Sequence, residues 1–453
     1  MKKYDVIVVG SGSGMLIVDE ATDLGLKVAL VDKGPFGGTC LNTGCIPSKM
    51  LIYPADRIVE IHEATKLGVE AETRNIDFGF IMRRMRKSIK ESQSQMRQAL
   101  SQAKNLDFYE GEGHFVGDYT IEVNGEKIKG ETIFIASGSR PFIPPIKGLD
   151  SVDYLTNETL LQLEERPDSL IIIGGGYIGV EYGHFFAAMG TKVTILEMME
   201  SLVLVEEQEI RELLKEQLRR RMDVYTDTQA EEIYQEGDKV RVTVKDKNTN
   251  EKGDFTAQRI LIAVGRRSNA DLLKVEKTGV EIDGRGFIKV NDYLETTKKN
   301  IFAVGDANGQ QMFTHVANRE ALVVAQNLFH GADLRMDYNA IPHAVYSHPQ
   351  IASVGLTEAQ ARKDHDVSVG RVKYFDVAKG EAMMEEEGFT KAIVEKDSRR
   401  ILGFHIIGPY APVLIQEVVN AMTSGGHIDE INEGIHIHPA LSELIQTTVN
   451  SLE

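Results

Sequence analysis

Two stretches constrain the fold of this chain more than any others. YDVIVVGSGSGM, residues 4–15, runs an apolar strand pattern into a cluster of glycines. A helix-like stretch follows, and then a second strand pattern, KVALVDKG, residues 27–34. SLIIIGGGYIGVEYGHFFAAMGTKVTILEMME, residues 169–200, repeats that order. Strand, glycine turn, helix, strand is a βαβ unit, and Gly10 and Gly174 open the two turns. A dinucleotide-binding unit that occurs twice predicts two dinucleotides on one chain and an α/β fold with two Rossmann-like domains.

The second turn keeps the full spacing: Gly174, Gly176 and Gly179. The first glycine makes the tight turn, the second lets the backbone approach a pyrophosphate, and the third lets helix and strand pack closely. The helix that follows presents its partial positive charge to the phosphates. Glu197 ends the second strand, where a carboxylate accepts hydrogen bonds from a ribose 2′-OH and repels a 2′-phosphate. No arginine follows in Met198, Met199 or Glu200, so NAD(H) is expected in preference to NADP(H). The first turn departs from the pattern. Gly10 and Gly12 are in place, but Met15 occupies the third glycine position, with Gly14 just before it. Close helix–strand packing must be solved differently there. Asp32 ends the second strand of that unit, where the ribose-binding acid belongs.

A chain of 453 residues is too long for one core and calls for two to four domains. A net charge of −17 argues against nucleic acid or an anionic membrane as partner, and no apolar run approaches a spanning length. MKKYDVIVVG reads as the first strand rather than a signal peptide. IMRRMRKSIKESQSQMRQALSQAKN, residues 81–105, reads as one long polar helix with Met82, Met85, Ile89, Met96 and Leu100 as its apolar stripe. Alternating strands such as KVRVTVKD, residues 239–246, follow later. The last third shows strand patterns in YSHPQIASVG and ILGFHIIG and a helix near VLIQEVVNAM.

The only two cysteines are Cys40 and Cys45, in GGTCLNTGCIPSK, with four residues between them. Zinc usually needs four ligands, and neither a second cysteine pair nor a nearby histidine supplies them, so no metal site is expected. A staple closing so short a loop would add little constraint. So few cysteines form no extracellular disulfide framework, which makes the cytoplasm the expected compartment and a catalytic role more fitting than a structural one. Inert buried cysteines are a further alternative, and the best reading is a redox disulfide beside a flavin, with a thiolate stabilised at a helix N-terminus.

These residues together resemble the flavin-dependent pyridine nucleotide–disulfide oxidoreductases over nearly the whole chain. GGTCLNTGCIPSK carries the resemblance most specifically. IFAVGDANG, residues 301–309, is similar to the family's second flavin-binding stretch and gives Asp306 the contact to the flavin's ribityl and phosphate portion. IFIASGSRP, residues 133–141, and ILIAVGRRSN, residues 260–269, are similar to the two connecting strands, and GIHIHPALSE, residues 434–443, to the C-terminal His-Pro motif. The resemblance implies an FAD domain of residues 1–149 and 271–339, an NAD domain of residues 150–270, and an α+β dimerisation domain of residues 340–453. It also implies a homodimer whose active sites combine Cys40 and Cys45 of one subunit with His438 of the other.

The roles implied by the family are specific. NADH reduces the flavin, and two electrons pass to the disulfide through Cys45. Cys40 is the interchange thiol that meets an external small-molecule dithiol or disulfide. His438, oriented by Glu443, moves the proton; His436 is expected to be structural. Lys49 and Glu181 correspond to the ion pair near the flavin N5, and Tyr177 to the gate of the nicotinamide pocket. Lys33, Gly38, Thr39, Ser137, Gly138 and Gly265 join the residues above as cofactor-binding positions. The NAD preference and the HPALSE ending resemble dihydrolipoamide dehydrogenase, with association to a 2-oxoacid dehydrogenase complex as one consequence. Met15, the SNADLL stretch and Val413, where dehydrogenases usually carry a glutamate, resemble mycothione reductase, a reductase of a low-molecular-weight disulfide.

Overall fold

A computed structural model describes all residues, 1–453. The chain divides into two compact units. Unit 1 comprises Met1–Pro47, Arg83–Phe142 and Gly265–Asp337, and unit 2 comprises Ser48–Met82, Ile143–Val264 and Tyr338–Glu453.

Unit 1 is organised on a seven-stranded sheet. Its first strand, Lys2–Val9, pairs in parallel with Val28–Asp32 on one side and Glu126–Ile135 on the other. Ile7 and Val8 are completely buried, as expected of a parallel strand covered on both faces. The helix Gly14–Asp23 makes the crossover. Ile301–Ala303 adds to Glu126–Ile135 in parallel, which brings the IFAVGDANG stretch to the same sheet. The short strands Ser139–Pro141 and Arg266–Ser268 pair antiparallel, as expected of the two connecting segments.

Unit 2 contains three sheets. A four-stranded parallel sheet is built from Ser169–Ile173, Lys192–Leu196, Asp223–Tyr225 and Arg259–Ile262. The helix Tyr177–Ala188 is its first crossover. A three-stranded antiparallel meander includes Lys239–Asp246, the residues of KVRVTVKD. The C-terminal part is a five-stranded antiparallel sheet on which the helices Ala411–Ser424 and Glu443–Asn450 bury Val418, Leu444 and Ile445.

The long polar helix is present as Phe78–Gln102. Met82, Met85 and Ile89 are buried, whereas Met96 and Leu100 are only half-buried, so the apolar stripe fades along the helix. YSHPQIASVG is not one strand. Pro342–Val345 and Ile351–Gly355 form an antiparallel hairpin, and Tyr346–Gln350 is its turn; Pro349 cannot donate to a ladder, which favours turn over strand there.

Candidate active site

In the first glycine turn, Gly10 adopts φ +110°, and a Cβ there would lie 2.2 Å from the Ala136 carbonyl oxygen. Only glycine fits such a position. Gly14 is buried, and a Cβ on it would meet the Val8 side chain at 2.8 Å. Gly14 therefore does the close packing that Met15 cannot, and the third glycine of this turn is displaced by one residue. Asp32 accepts hydrogen bonds from the backbone N–H of Ser11 and of Gly34, both at 2.6 Å. A Cβ on Gly38 would come within 2.8 Å of the Gly12 Cα, so the loop before the cysteines lies directly against the turn. Thr39 follows in the short helix Gly38–Asn42, and Lys33 is exposed beyond Asp32.

These features fit an FAD cradle. Backbone and turn approach too closely for side chains, and Ser137 Oγ is buried with no hydrogen-bond partner, a polar group left for a ligand. Gly138, at φ +65°, follows it. Asp306 accepts from Ser139 Oγ at 2.5 Å, and Arg266 Nε donates to that same hydroxyl at 2.7 Å while lying 3.6 Å from the Asp306 carboxylate. Glu320, wholly buried, accepts from Gly305 N–H at 2.5 Å and from Asn308 Nδ2 at 3.0 Å, which holds the turn that carries Asp306. Ser139, Arg266 and Glu320 are additions that no motif spacing signalled. Gly265, the last residue before the connecting strand, accepts a hydrogen bond from Phe142 N–H at 2.9 Å through its carbonyl.

Both cysteines are thiols, Cys45 exposed and Cys40 half-buried. Asn42, between them, lies within hydrogen-bond distance of the Pro35, Phe36 and Gly38 carbonyls and accepts from Gln93 Nε2 at 2.6 Å. That cage fixes the loop and hence the spacing of the sulfurs. Cys45 opens the helix Cys45–Glu63. Its Sγ lies 3.3 Å from the hydroxyl of Thr314. The hydrogen bond with Cys45, followed by burial, pushes the Cys40 thiol well above its ordinary pKa, and the Thr314 hydroxyl opposes that rise.

In unit 2, the second turn repeats the first. Gly174 adopts φ +109° with a Cβ position 2.4 Å from the Ala263 carbonyl oxygen, and a Cβ on Gly179 would lie 2.0 Å from the Gly174 carbonyl oxygen. Gly176 is the N-cap of the helix that begins at Tyr177. Glu197 accepts from Gly175 N–H at 2.5 Å and from Met199 N–H at 2.7 Å. Tyr177 is exposed at the helix start.

Lys49 and Glu181 form an ion pair at 2.8 Å. Lys49 also lies 4.2 Å above the Tyr346 ring, and Tyr346 N–H donates to Glu181 at 3.0 Å. Burial pushes the Glu181 carboxyl upward, against the pull of Lys49 and the Tyr346 N–H. Losing one partner of such a pair costs about 3–5 kcal/mol when both are buried, and less here because Lys49 is partly solvated. One turn further along the same helix, His184 is completely buried between Asp56, at 2.8 Å, and Arg221, at 2.9 Å. Burial lowers its pKa to about 4, so the imidazole is neutral. Arg221 can only donate, so His184 Nδ1 accepts and Nε2–H donates to Asp56.

His438 Nδ1 lies 2.8 Å from Glu443, which also accepts the Ala440 N–H at 2.9 Å. The Ala440 N–H and then His438 hold the Glu443 carboxyl below its ordinary range. An ionised carboxylate only accepts, so Nδ1 carries the proton and Nε2 is left as the base. The His438 side chain is 71% exposed. His436 instead tucks in beside Glu417 at 2.6 Å. The predicted residues thus assemble locally in four groups: the first turn, the thiols, the second turn with Lys49–Glu181, and His438–Glu443. The thiols belong to unit 1 and His438–Glu443 to unit 2.

Comparison with known proteins places the whole chain in one family. Residues 4–321 match the family described as pyridine nucleotide-disulphide oxidoreductase, and residues 341–449 match its dimerisation domain. The chain belongs to the pyridine nucleotide-disulphide oxidoreductase family. It is 36% identical to mycothione reductase of Mycobacterium tuberculosis over 466 aligned positions, covering 100% of each chain. It is equally, 36%, identical to dihydrolipoyl dehydrogenase of Geobacillus stearothermophilus over 449 positions, covering 97% of this chain and 94% of the other. The solved structure of the HOCl-induced flavoprotein disulfide reductase RclA from Escherichia coli is similar at a TM-score of 0.88, with 28% identity and 99% of each chain covered. The chain is therefore a mixed α/β flavoprotein oxidoreductase of the disulfide-linked class. No helix is long and apolar enough to cross a membrane.

Proposed function

We propose that this protein is an NAD(H)-linked dithiol–disulfide oxidoreductase acting on a small molecule as a homodimer. The observation that carries this reading is the Cys40–Cys45 pair, two thiols whose spacing is set by the Asn42 cage and one of which opens a helix. FAD, when bound, supplies a two-electron relay between nicotinamide and that pair. In the reducing direction, the Cys40 thiolate attacks one sulfur of the external disulfide, forming a mixed disulfide and releasing one thiolate. His438 of the partner subunit protonates that leaving group, with Glu443 holding its tautomer. The Cys45 thiolate then attacks Cys40 Sγ, releasing the second thiol and leaving the Cys40–Cys45 disulfide. Dithiol oxidation is the same sequence reversed. Tyr410, Val413, Ile435 and Ile437 are exposed in the region that matches the dimerisation domain, where a partner subunit would cover them.

Glu197 supports NAD(H), because its carboxylate occupies the end of the strand with no arginine beside it in sequence. Dihydrolipoamide is the first substrate reading. Reduction of a low-molecular-weight disulfide is the second, favoured by Met15 and by Val413 in the first turn of the Ala411–Ser424 helix. A steady-state panel separates them: dihydrolipoamide with NAD, lipoamide with NADH or NADPH, and small-thiol disulfides with the same reductants. Turnover of lipoamide or dihydrolipoamide alone selects the first, and turnover of a small disulfide alone selects the second. Reduction of no dithiol or disulfide at all would show a flavoprotein without this activity.

A further inference from the structure

Cys45 lies beside a second thiol, so its use as a thiolate calls for a donor to the sulfur. The geometry points to Thr314 as a third catalytic residue of the thiol centre, whose hydroxyl donates a hydrogen bond to the Cys45 thiolate. Thr314 is the first residue of the helix Thr314–His330, and Cys45 is the first residue of the helix Cys45–Glu63. Two helices therefore begin at one sulfur–oxygen contact of 3.3 Å. Either atom can donate while Cys45 is protonated; once it is a thiolate, only the hydroxyl has a proton to give. Both helix starts add partial positive charge at the same place. The rings flanking Thr314 in sequence, Phe313 and His315, stack at 5.4 Å and 10°, which fixes the backbone that aims the hydroxyl. The same hydroxyl opposes the rise of the Cys40 thiol.

A hydrogen bond to a charged group is worth enough to move a pKa by about one to two units. Stabilising the thiolate stabilises the reduced pair, so the donor makes the pair easier to reduce. The inference rests on Cys40–Cys45 being the redox pair. It is tested on the two-electron-reduced holoenzyme without any substrate, by the pH midpoint of the long-wavelength thiolate–flavin absorbance. A second readout is the thiol–disulfide equilibrium of the pair against a dithiothreitol buffer, followed by thiol quenching and mass measurement. Thr314→Val keeps the shape and removes the donor. It is expected to raise the pH midpoint by about one unit or more and to shift the equilibrium about tenfold toward the disulfide, which is about 30 mV. Thr314→Ala must shift both readouts the same way and carries the test if the valine variant does not fold. Thr314→Ser, which keeps the hydroxyl, is expected to stay within about twofold of the unaltered protein. Unchanged readouts in the valine and alanine variants, or a serine variant that shifts as much as they do, overturn the role. If the unaltered protein forms no Cys40–Cys45 disulfide, it is the proposed function that fails.

Discussion

The two glycine turns solve one problem with two sequences. Gly10 and Gly174 adopt φ +110° and +109°, and each packs against the carbonyl of a neighbouring strand's end. Asp32 and Glu197 each accept an N–H from the residue after the first glycine and another from the residue two positions beyond the acid. The third glycine differs. Gly179 faces a backbone oxygen at 2.0 Å, whereas Gly14 faces the Val8 side chain at 2.8 Å. A backbone oxygen cannot yield as a side chain can, so the second turn holds its glycine spacing and the first tolerates a displaced one. The helices that follow differ too. The first buries only Gly14, Ile17, Val18 and Ala21; the second buries Glu181 and His184 and carries charge into the interior.

The largest effects fall on the first glycines. Gly10→Ala is expected to lose FAD, and Gly174→Ala to keep FAD but reduce it with NADH roughly 100-fold more slowly, since forced positive φ and a backbone clash together cost about 3 kcal/mol. The flavin-to-protein absorbance ratio and rapid-mixing reduction separate the two. If both substitutions impair the same step, the turns do not serve different dinucleotides.

The next effect comes from a titratable group buried on the second helix. His184, with a folded pKa of about 4 against an ordinary value near 6.5, gains a proton more readily when unfolded. The stability it contributes is fully present above pH 6.5 and is lost as pH falls through 4, on the order of 3 kcal/mol. Denaturant midpoints measured from pH 7 to pH 4 should fall, and His184→Gln should flatten that slope. An unchanged slope would remove His184 as the cause.

Smaller effects sharpen the contrast between the acids and between the third glycines. Glu197→Gln removes repulsion of a 2′-phosphate and is expected to raise the NADPH-to-NADH ratio of kcat/KM about tenfold. Met15→Gly should leave FAD affinity within about twofold, because Gly14 already does the packing, while a glycine inside a helix costs about 0.5–1 kcal/mol of stability. Fluorescence titration of FAD and thermal melts measure both; a marked gain in affinity would show that Met15 strains the turn.

Much of this site was legible because its signals are local. The glycine spacings, the acids that end each second strand, the isolated cysteines and the KVRVTVKD strand all sit within one element or turn. What the residues did not disclose depends on distant partners. Thr314 meets Cys45 from 269 positions away and looks in sequence like any polar residue at a helix start. Asp56 and His184 come from two helices and Arg221 from the turn after Gln208–Arg219, and a buried chain of polar groups leaves no period to read. The Tyr346–Gln350 turn carried one signal, Pro349, but the apolar residues on either side, Val345 and Ile351, made the stretch read as a strand. The double use of Asp32 and Glu197, as closers of their own turns, depends on backbone N–H groups that no residue type marks.

The central claim is that electrons reach the substrate through Cys40 and Cys45. Anaerobic titration of Cys45→Ser with NADH, followed by disulfide turnover, tests it most directly. The account predicts that the unaltered protein gains a long-wavelength thiolate–flavin band and two thiols per two electrons, and that the variant loses both the band and turnover. A Cys45→Ser protein that keeps the band and full disulfide turnover would contradict it.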